Sequence, residues 1–280
     1  MATLHHLELE PQALAGNGGV GRYVLLPGSV ERAARIASRF ADAEVRPNRR
    51  RLDVHLGRLV RGGRAVDVAA VPTGMGCPSV DIVAGELIAG GARRLLRVGT
   101  SGSLQPEVRV GDVVVGTGAE RDEGTSDAYV DPQYPALADP LWVEALASAA
   151  SASGLAERVH LGLLHSKDAF FGREFGHGPR KAENEAYMAR LSASGVLATE
   201  MEAAHLFVLG AVHYRGSRSV AATRSAAAHL RCGAVCAVVG DPEHGFASLA
   251  EEQAAEERLV DLALDGVLAL AELEGTAVSG

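Results

Sequence analysis

Short apolar runs alternate with longer, Ala-rich segments along the chain. The run YVLLPG (23–28), for example, is followed by SVERAARIASRF (29–40), in which apolar residues recur at helical spacing. Short apolar or β-branched runs bounded by Gly and Pro predict strands, and the helical spacing predicts amphipathic helices. Regular alternation of the two is typical of an α/β domain with a mixed or mostly parallel sheet.

Cap and turn residues set the boundaries of these elements. Ser29 is placed to cap the first helix, and Pro78 lies near the first turn of another. Residues 217–231 are rich in small residues and fit a helix or an insertion. No fixed-period repeat and no Pro/Ser-rich linker divides the chain, so we predict one domain over residues 1–280. The predicted strands are 23–28, 64–74, 93–100, 109–118, 159–166 and 233–241, and the predicted helices are 29–40, 78–91, 141–154, 181–195, 198–214 and 247–274.

Composition narrows the possible functions. The chain has 280 residues, 47% of them hydrophobic, and no apolar run long enough to cross a bilayer. Its first residues lack the pattern of a signal peptide, so we expect a cytoplasmic protein. Cys77, Cys232 and Cys236 suit neither a disulfide framework nor a zinc site, which predicts buried thiols. A net charge of −8 and 4% aromatic residues disfavour nucleic-acid binding and favour a small substrate.

Two glycine-rich matches do not carry the function that they suggest. GNGGVG (16–21) fits the dinucleotide template G-x-G-x-x-G, but it precedes a predicted strand, whereas that mechanism requires it to follow one. GTSGS (99–103) differs from the nucleophile elbow G-x-S-x-G, and no paired His and acid are evident. We expect loops at both places.

Strand ends carrying Gly, Thr and Arg are the stronger signal. Arg97 ends an apolar run, and a buried guanidinium needs an anionic partner, either an internal carboxylate or a bound oxyanion. Thr100 follows in the same loop. At another strand end, Gly28 precedes a helix with Arg32 in its first turn, which is the end that favours anions. Arg32 is either paired with a nearby acid, Glu31 or Asp42, or shares a phosphate with Arg97.

The segment TEMEAA offers two carboxylates at the start of a predicted helix. Glu200 and Glu202 are either plain caps or acceptors for vicinal sugar hydroxyls, with Met201 covering an apolar ring face. Phosphate, a sugar diol and an apolar base pocket together describe a nucleoside phosphorylase site.

With these residues in place, the chain resembles the hexameric nucleoside phosphorylases, a family that includes uridine phosphorylases, purine nucleoside phosphorylases and nucleosidases. The resemblance runs from HLELE (6–10) through LLPGSVER, PTGMGCPS, LLRVGTSGSLQPEVRVGDVVV, AERDEGTS and SKDAFFG to TEMEAA and VVGD. It is closest to the uridine phosphorylases. It implies a three-layer α/β/α sandwich with a central mixed sheet and a hexamer built from dimers with shared sites. It also implies inorganic phosphate as co-substrate, with no metal or organic cofactor.

The resemblance also assigns candidate site residues. Arg97 and Glu202 are the central catalytic candidates, because the arginine would hold the attacking phosphate and the glutamate the ribose. His6 and an arginine of the NRRRLD run are implied to reach a neighbouring subunit's site; Arg50 is preferred, with Arg49 and Arg51 as alternatives. The positions matched to phosphate are Gly28, Arg32, Arg50, Arg97 and Thr100, those matched to ribose are His6, Glu200, Met201 and Glu202, and the one matched to the base is Phe170.

Base recognition is where the chain departs from the uridine phosphorylases. Their Gln and Arg, which contact the uracil edge, are replaced here by Arg173 and Phe175. Arg173 is a catalytic and base-binding candidate, with His177 and Arg180 as other sources of positive charge. Asp241 in VVGD falls where purine phosphorylases carry an acid. We favour uridine as the substrate, with a purine nucleoside, a nucleosidase activity and a non-catalytic nucleoside-binding protein as alternatives.

Overall fold

The structure, a computed structural model, describes residues 3–214, 229–241, 245–276 and 278–279. Residues 217–231 were predicted to be a helix or an insertion, and of these residues 217–228 lie outside the described ranges. The strands are β1 (Tyr23–Pro27), β2 (Ala41–Arg46), β3 (Val54–Arg61), β4 (Arg64–Ala70), β5 (Arg94–Ser103), β6 (Val113–Asp122), β7 (Ala136–Leu137), β8 (Val159–Lys167), β9 (Ala198–Glu200), β10 (Arg231–Asp241), β11 (Gly245–Phe246) and β12 (Val278–Ser279). The helices are α1 (Val30–Ala37), α2 (Cys77–Ala89), α3 (Pro140–Ala152), α4 (Lys181–Ala193), α5 (Ala203–Val212) and α6 (Leu249–Leu273), and Phe170–Glu174 forms a π-helical turn.

One mixed sheet organises the fold, and β5 lies at its centre. The strand order is β2, β3, β4, β1, β5, β9, β8, β6, β10, β11, and β10 also pairs with β5, so the second half closes into a ring. β1 and β10 run parallel to β5 on its two sides, whereas β9 runs antiparallel to it. The carboxyl ends of β1, β5 and β10 therefore meet at one edge, where α/β sheets bind ligands.

Helices cover both faces of the sheet. Val24 and Leu26 of β1 belong to an apolar cluster with α2 and α5. Tyr23 and Leu25, which point the other way, belong to a second cluster with α1, α3 and α6. This alternation confirms the predicted three-layer α/β/α sandwich. No helix within the described ranges combines the length and apolar character that a membrane span requires.

Most predicted elements match, and the differences have local causes. The segment GTSGS (99–103), expected as a loop, is instead the second half of β5, because it pairs with β10 and its end pairs with β9. Ser29 caps α1, since its side chain accepts a hydrogen bond from the Arg32 N–H at 3.1 Å. The predicted helix 198–214 is instead β9 followed by α5, because β9 pairs with the end of β5. β2 and β3 were not predicted from the sequence. All six residues of β2 are exposed, so this edge strand has no apolar alternation to reveal it.

Candidate active site

Arg97 lies at the centre of a buried cluster of charges. It is 5% exposed, and its Nε donates to Glu200 Oε2 at 2.7 Å while its Nη2 pairs with Glu202 Oε2. Burial alone would lower the pKa of Arg97, but Glu202 and Glu200 raise it above its usual range. Of the two partners considered for this arginine, the structure therefore shows the internal carboxylates.

The register of β9 against β5 brings the two glutamates to Arg97. Gly102 of β5 pairs with Thr199 of β9, so the chain leaves the sheet at Glu200, beside the end of β5. Glu200 also accepts the backbone N–H groups of Glu202 at 2.9 Å and of Ala203 at 3.0 Å, so it caps the start of α5 as well. Capping and the contact with Arg97 are thus combined in one side chain.

Glu202 joins this cluster to the start of α2. Its Oε1 accepts the Gly76 N–H at 2.5 Å. Burial raises the pKa of Glu202, and the nearby Glu200 carboxylate raises it further, whereas Arg97 opposes both. Met201 lies between the two glutamates and is half-buried, and its carbonyl oxygen accepts the Cys77 thiol at 3.3 Å. Cys77, Cys232 and Cys236 are all buried and free, as predicted.

Arg32 is paired with a helix distant in sequence. Its Nε donates to Glu256 Oε1 of α6 at 3.1 Å, and its Nη1 reaches the Val98 carbonyl oxygen at 3.3 Å. Neither Glu31 nor Asp42 is the partner that the structure shows. Glu256 also pairs with Arg35, so one carboxylate holds two guanidinium groups.

The other predicted phosphate residues lie at the same edge of the sheet. Gly28 links β1 to α1, and a Cβ there would lie 3.4 Å from the Gly74 carbonyl oxygen. Thr100 is half-buried on β5, three residues after Arg97, and pairs with Ala237 of β10. The fold therefore brings Gly28, Arg32, Arg97 and Thr100 to the carboxyl ends of adjacent strands.

His6 and Arg50 lie elsewhere on the same chain. His6 binds Glu86 of α2 through its backbone N–H at 2.8 Å and its Nδ1 at 2.7 Å. Because Glu86 is nine residues into α2, this contact is about 13 Å along the helix from its start beside Glu202. Arg50 is exposed in the loop between β2 and β3. The adjacent Arg49 pairs with Glu8, so the His6 segment and the arginine loop form one surface.

Arg173, the predicted base-binding residue, is held by side chains of β6 and α4. Its Nη2 donates to Asp122 Oδ1 at 2.8 Å and its Nη1 to Asn184 Oδ1 at 2.7 Å, and its guanidinium lies 4.2 Å from the centre of the Tyr187 ring. His165 Nε2 also lies 3.1 Å from Asp122. These contacts hold the guanidinium between the end of β6 and the first half of α4, and its contact with a base stays a prediction.

A cavity of about 390 Å³ lies beside the end of β5. Asp241, the last residue of β10, lines it, and so does Phe175. Phe170 is half-buried and packs its ring against Phe175 at 5.1 Å. The described residues that line this cavity are Ser103, Leu104, Glu174, Phe175, Met188, Ser192, Gly240, Asp241, Gly245 and Phe246.

Three charged residues of this region were missed in the sequence. Lys167 is 1% exposed at the end of β8, Glu174 lines the cavity, and Glu256 holds Arg32. The signal for Lys167 was the same as for Arg97, a cation at the end of an apolar run. Glu256 sits in a charged stretch of α6 that gives no sign of its partner. Within the described ranges, no group of three or more His, Cys, Asp or Glu side chains is arranged to hold a metal ion.

Comparison with known proteins supplies the family. The phosphorylase superfamily matches residues 22–271. The chain is 35% identical to a uridine phosphorylase of Thermococcus kodakarensis over 90% of this chain and 82% of that protein, and 37% identical to a uridine phosphorylase of Treponema pallidum over 79% and 78%. It is 34% identical to a guanosine phosphorylase of Halorubrum lacusprofundi over 83% of both chains. The crystal structure of a Vibrio fischeri uridine phosphorylase complexed with 6-hydroxy-1-naphthoic acid shares the fold, with a TM-score of 0.75 at 22% identity, covering 96% of this chain and 97% of that one. The chain belongs to the phosphorylase superfamily.

Proposed function

We propose that this protein is a nucleoside phosphorylase, a pentosyltransferase that moves the sugar of a nucleoside to inorganic phosphate and releases the free base. The observation that carries the proposal is the buried cluster of Arg97, Glu200 and Glu202 on the central strand β5 and beside it, where β1 ends, in a chain of this superfamily. This cluster combines a cation that would bind phosphate, Arg97, with two carboxylates that would bind a sugar diol. The two substrates have to meet at such a place for the reaction to occur.

Phosphate would bind where β1 and β5 end. Arg97, Arg32, Thr100 and the backbone at Gly28 would hold its oxygens while it attacks C1′ of the sugar. Holding two reactants in line can contribute several kcal/mol to the rate. The arginines stay fixed before the reaction, so they stabilise charge without reorganising.

The ribose would bind beside this phosphate. Glu202 would accept the vicinal hydroxyls, with Glu200 fixing the loop and Met201 covering the ring. For the phosphate to bind Arg97, one of the two carboxylate contacts of Arg97 has to be exchanged for the phosphate oxygens. If the contact with Glu202 Oε2 is the one exchanged, that oxygen becomes available to the sugar while Oε1 keeps its hydrogen bond from the Gly76 N–H. The raised pKa of Glu202 is consistent with a carboxylate that gains from additional donors.

A neighbouring subunit would complete the charge balance. Arg97, Arg32 and Arg35 are matched by Glu200, Glu202 and Glu256, so phosphate needs a further cation. Arg50 is exposed, and the Glu8–Arg49 pair places it on the surface that also carries His6. We assign both to the site of a partner in a homo-oligomer, with a hexamer built from dimers as the assembly.

Uridine is the first candidate substrate. The two relatives at 35% and 37% identity are named uridine phosphorylase, and Phe170 packs beside the cavity where a base would lie. A purine nucleoside is the second candidate, because Asp241 lines that cavity and a relative at 34% identity is a guanosine phosphorylase. Arg173 would assist either base only after leaving Asp122. We further propose that the reaction needs no metal or organic cofactor, that residues 1–280 form one domain, and that the enzyme acts in the cytoplasm.

The test is base release from uridine and inosine, each with and without inorganic phosphate. Phosphate-dependent release of uracil or hypoxanthine is the expected result. Release at the same rate without phosphate would identify a nucleosidase. Nucleoside binding with no release would identify a non-catalytic binding protein.

A further inference from the structure

A cavity of about 530 Å³ lies outside the proposed catalytic cluster, where the turn before β6, the start of β8 and the first turns of α6 come together. Its volume is in the range of small-molecule sites in proteins. Three arginines line it, Arg109, Arg158 and Arg258, and we call it the arginine cavity. Asp241 and Phe246 line both this cavity and the one of about 390 Å³, so the two cavities adjoin.

Two of the arginines meet at Gly111. A Cβ at Gly111 would lie 2.7 Å from Arg258 Nη2 and 3.3 Å from Arg158 Nη2, so both guanidinium groups approach the same point of the backbone. Gly111 has a φ of +87°, which glycine adopts without strain, and it leaves room for the two side chains. Two cations placed side by side repel each other unless an anion lies with them.

Asp112 pairs with one of these two arginines. Its Oδ1 accepts a hydrogen bond from Arg158 Nε at 3.2 Å, and its Oδ2 lies 3.0 Å from His160 Nε2. Arg258 donates instead to the carbonyl oxygen of Gly111, from Nη2 at 3.0 Å and from Nε at 3.2 Å. Burial lowers the pKa of Arg258, and the neighbouring Arg158 lowers it further, whereas Asp112 opposes both. The ionised form of Arg258 would therefore gain from a further anion.

A third arginine and two carboxylates complete the charges of the lining. Arg109 is exposed, and its side chain forms no ion pair with any of the described residues. Asp241 ends β10, and Glu251 lies in the first turn of α6, where its Oε2 accepts the Ser248 N–H at 2.9 Å. Among the described residues, the lining thus has more arginines than carboxylates, in a protein whose net charge is −8. Such a local excess of cations favours an anionic ligand.

The lining suits a phosphorylated nucleoside. Guanidinium groups bind phosphate oxygens through parallel N–H donors. Carboxylates such as Asp241 and Glu251 accept hydrogen bonds from hydroxyl groups, which a ribose supplies. Phe246 is 65% exposed and offers a ring on which a base can stack. A phosphate, a ribose and a base therefore each have a matching group in one cavity.

We propose that the arginine cavity is a second binding site, which takes a nucleoside monophosphate. The phosphate binds between Arg158 and Arg258. The ribose hydroxyls lie at Asp241 and Glu251, and the base stacks on Phe246. The inference goes beyond the proposed phosphorolysis, because no bond is made or broken at this site.

The test measures binding by calorimetry in a phosphate-free buffer, with uridine 5′-monophosphate, ribose 5-phosphate and inorganic phosphate as probes. Arg258→Gln should raise the Kd of the nucleotide by about tenfold, equivalent to about 1.4 kcal/mol, because a charged donor to the phosphate is lost. Arg158→Gln should have the same effect and serves as a second, independent variant. Arg39→Gln removes the same charge from an arginine paired with Glu257 of α6, so it is the matched control and should leave the Kd unchanged.

Two further measurements separate this site from the catalytic one. Arg97→Ala should not change the Kd of the nucleotide, and Arg258→Gln should not change the Kd of uridine, which has no phosphate. A thermal melt shows which variants are folded. In the wild type, the nucleotide should bind more tightly than ribose 5-phosphate, because only the nucleotide has a base to stack on Phe246.

Three outcomes would overturn the inference. The first is a wild type that does not bind the nucleotide. The second is a loss of nucleotide binding in Arg97→Ala but not in Arg258→Gln or Arg158→Gln, which would place the nucleotide in the catalytic cluster. The third is ribose 5-phosphate or inorganic phosphate that binds as tightly as the nucleotide and shows the same loss in Arg258→Gln, which would mean that the cavity recognises phosphate alone. Phosphate-dependent base release is measured separately, so each of these outcomes would leave the proposed phosphorolysis standing.

Discussion

Two buried cations organise the two halves of the site, and they are held in different ways. Arg97 on β5 is paired with Glu200 and Glu202, whose positions follow from the pairing of β9 with β5 and from the start of α5. Lys167 on β8 is paired with Glu174, which lies on a π-helical turn between two elements. The first pair is fixed by regular structure, whereas the second depends on a short loop segment. Loops accept sequence change more readily than the elements that carry them. We therefore expect the proposed base contacts to vary more readily than the proposed phosphate and ribose contacts.

The largest loss of activity is expected when Arg97 is removed. Arg97→Ala should lower kcat/KM by about 100-fold or more, because it removes a preorganised donor for the phosphate. The variant would also leave Glu200 and Glu202 buried without their cation. A steady-state assay that varies phosphate measures the effect, with Arg39→Ala, a half-exposed arginine paired with Glu257, as the control. Normal phosphate dependence in Arg97→Ala would rule out the assignment.

Neutralising Glu202 should separate ribose binding from phosphate binding. Glu202→Gln should lower kcat/KM for the ribonucleoside by about 30-fold, which is the scale for one hydrogen bond to a charged group. The KM for phosphate should change much less. The loss should be smaller for a 2′-deoxynucleoside, since one of the two hydroxyls is already missing. Equal losses for the ribo- and deoxynucleosides would contradict the sugar-diol role.

Asp122, the partner of Arg173, should contribute more to the stability of the fold than to substrate binding. Asp122→Asn removes charged hydrogen bonds to Arg173 and His165 and should lower the free energy of unfolding by about 2 kcal/mol at pH 7. Burial opposes ionisation of Asp122, but His165 and Arg173 hold its pKa below the ordinary 3.8. A lowered pKa stabilises the fold above the unfolded value and loses this contribution as pH falls through the folded value. Urea unfolding should therefore show the wild type and the variant converging below pH 3.8, and a constant gap would contradict the account.

The smallest effect is expected for the arginine loop. Arg50→Ala should raise the KM for phosphate by about tenfold, equivalent to about 1.4 kcal/mol, if this side chain serves the neighbouring subunit. Arg49→Ala and Arg51→Ala are the matched comparisons, because all three lie in the loop between β2 and β3. The largest effect at Arg49 or Arg51 would move the role to that residue.

The sequence predicted the charged residues of the regular elements better than it predicted their partners. Arg97 and the Glu200 segment were predictable as site positions, since a charge that follows an apolar run marks a buried strand that reaches a site. The strand end was not, because β5 continues beyond Arg97 to Ser103. The partners were not. Arg97 and Glu200 are 103 residues apart, and Arg32 and Glu256 are 224 apart, so only the sheet register brings them together. Arg173 was predicted to contact the base, and its partners Asn184 and Asp122, 11 and 51 residues away, could not be predicted either.

The most direct test of the central claim is a crystal structure of the wild type with sulfate, which resembles phosphate but does not react as it does, and uridine. We expect the anion within about 3 Å of Arg97, with the ribose hydroxyls bound to Glu202. An anion bound elsewhere, with Arg97 still paired to both glutamates and no sugar at Glu202, would contradict it.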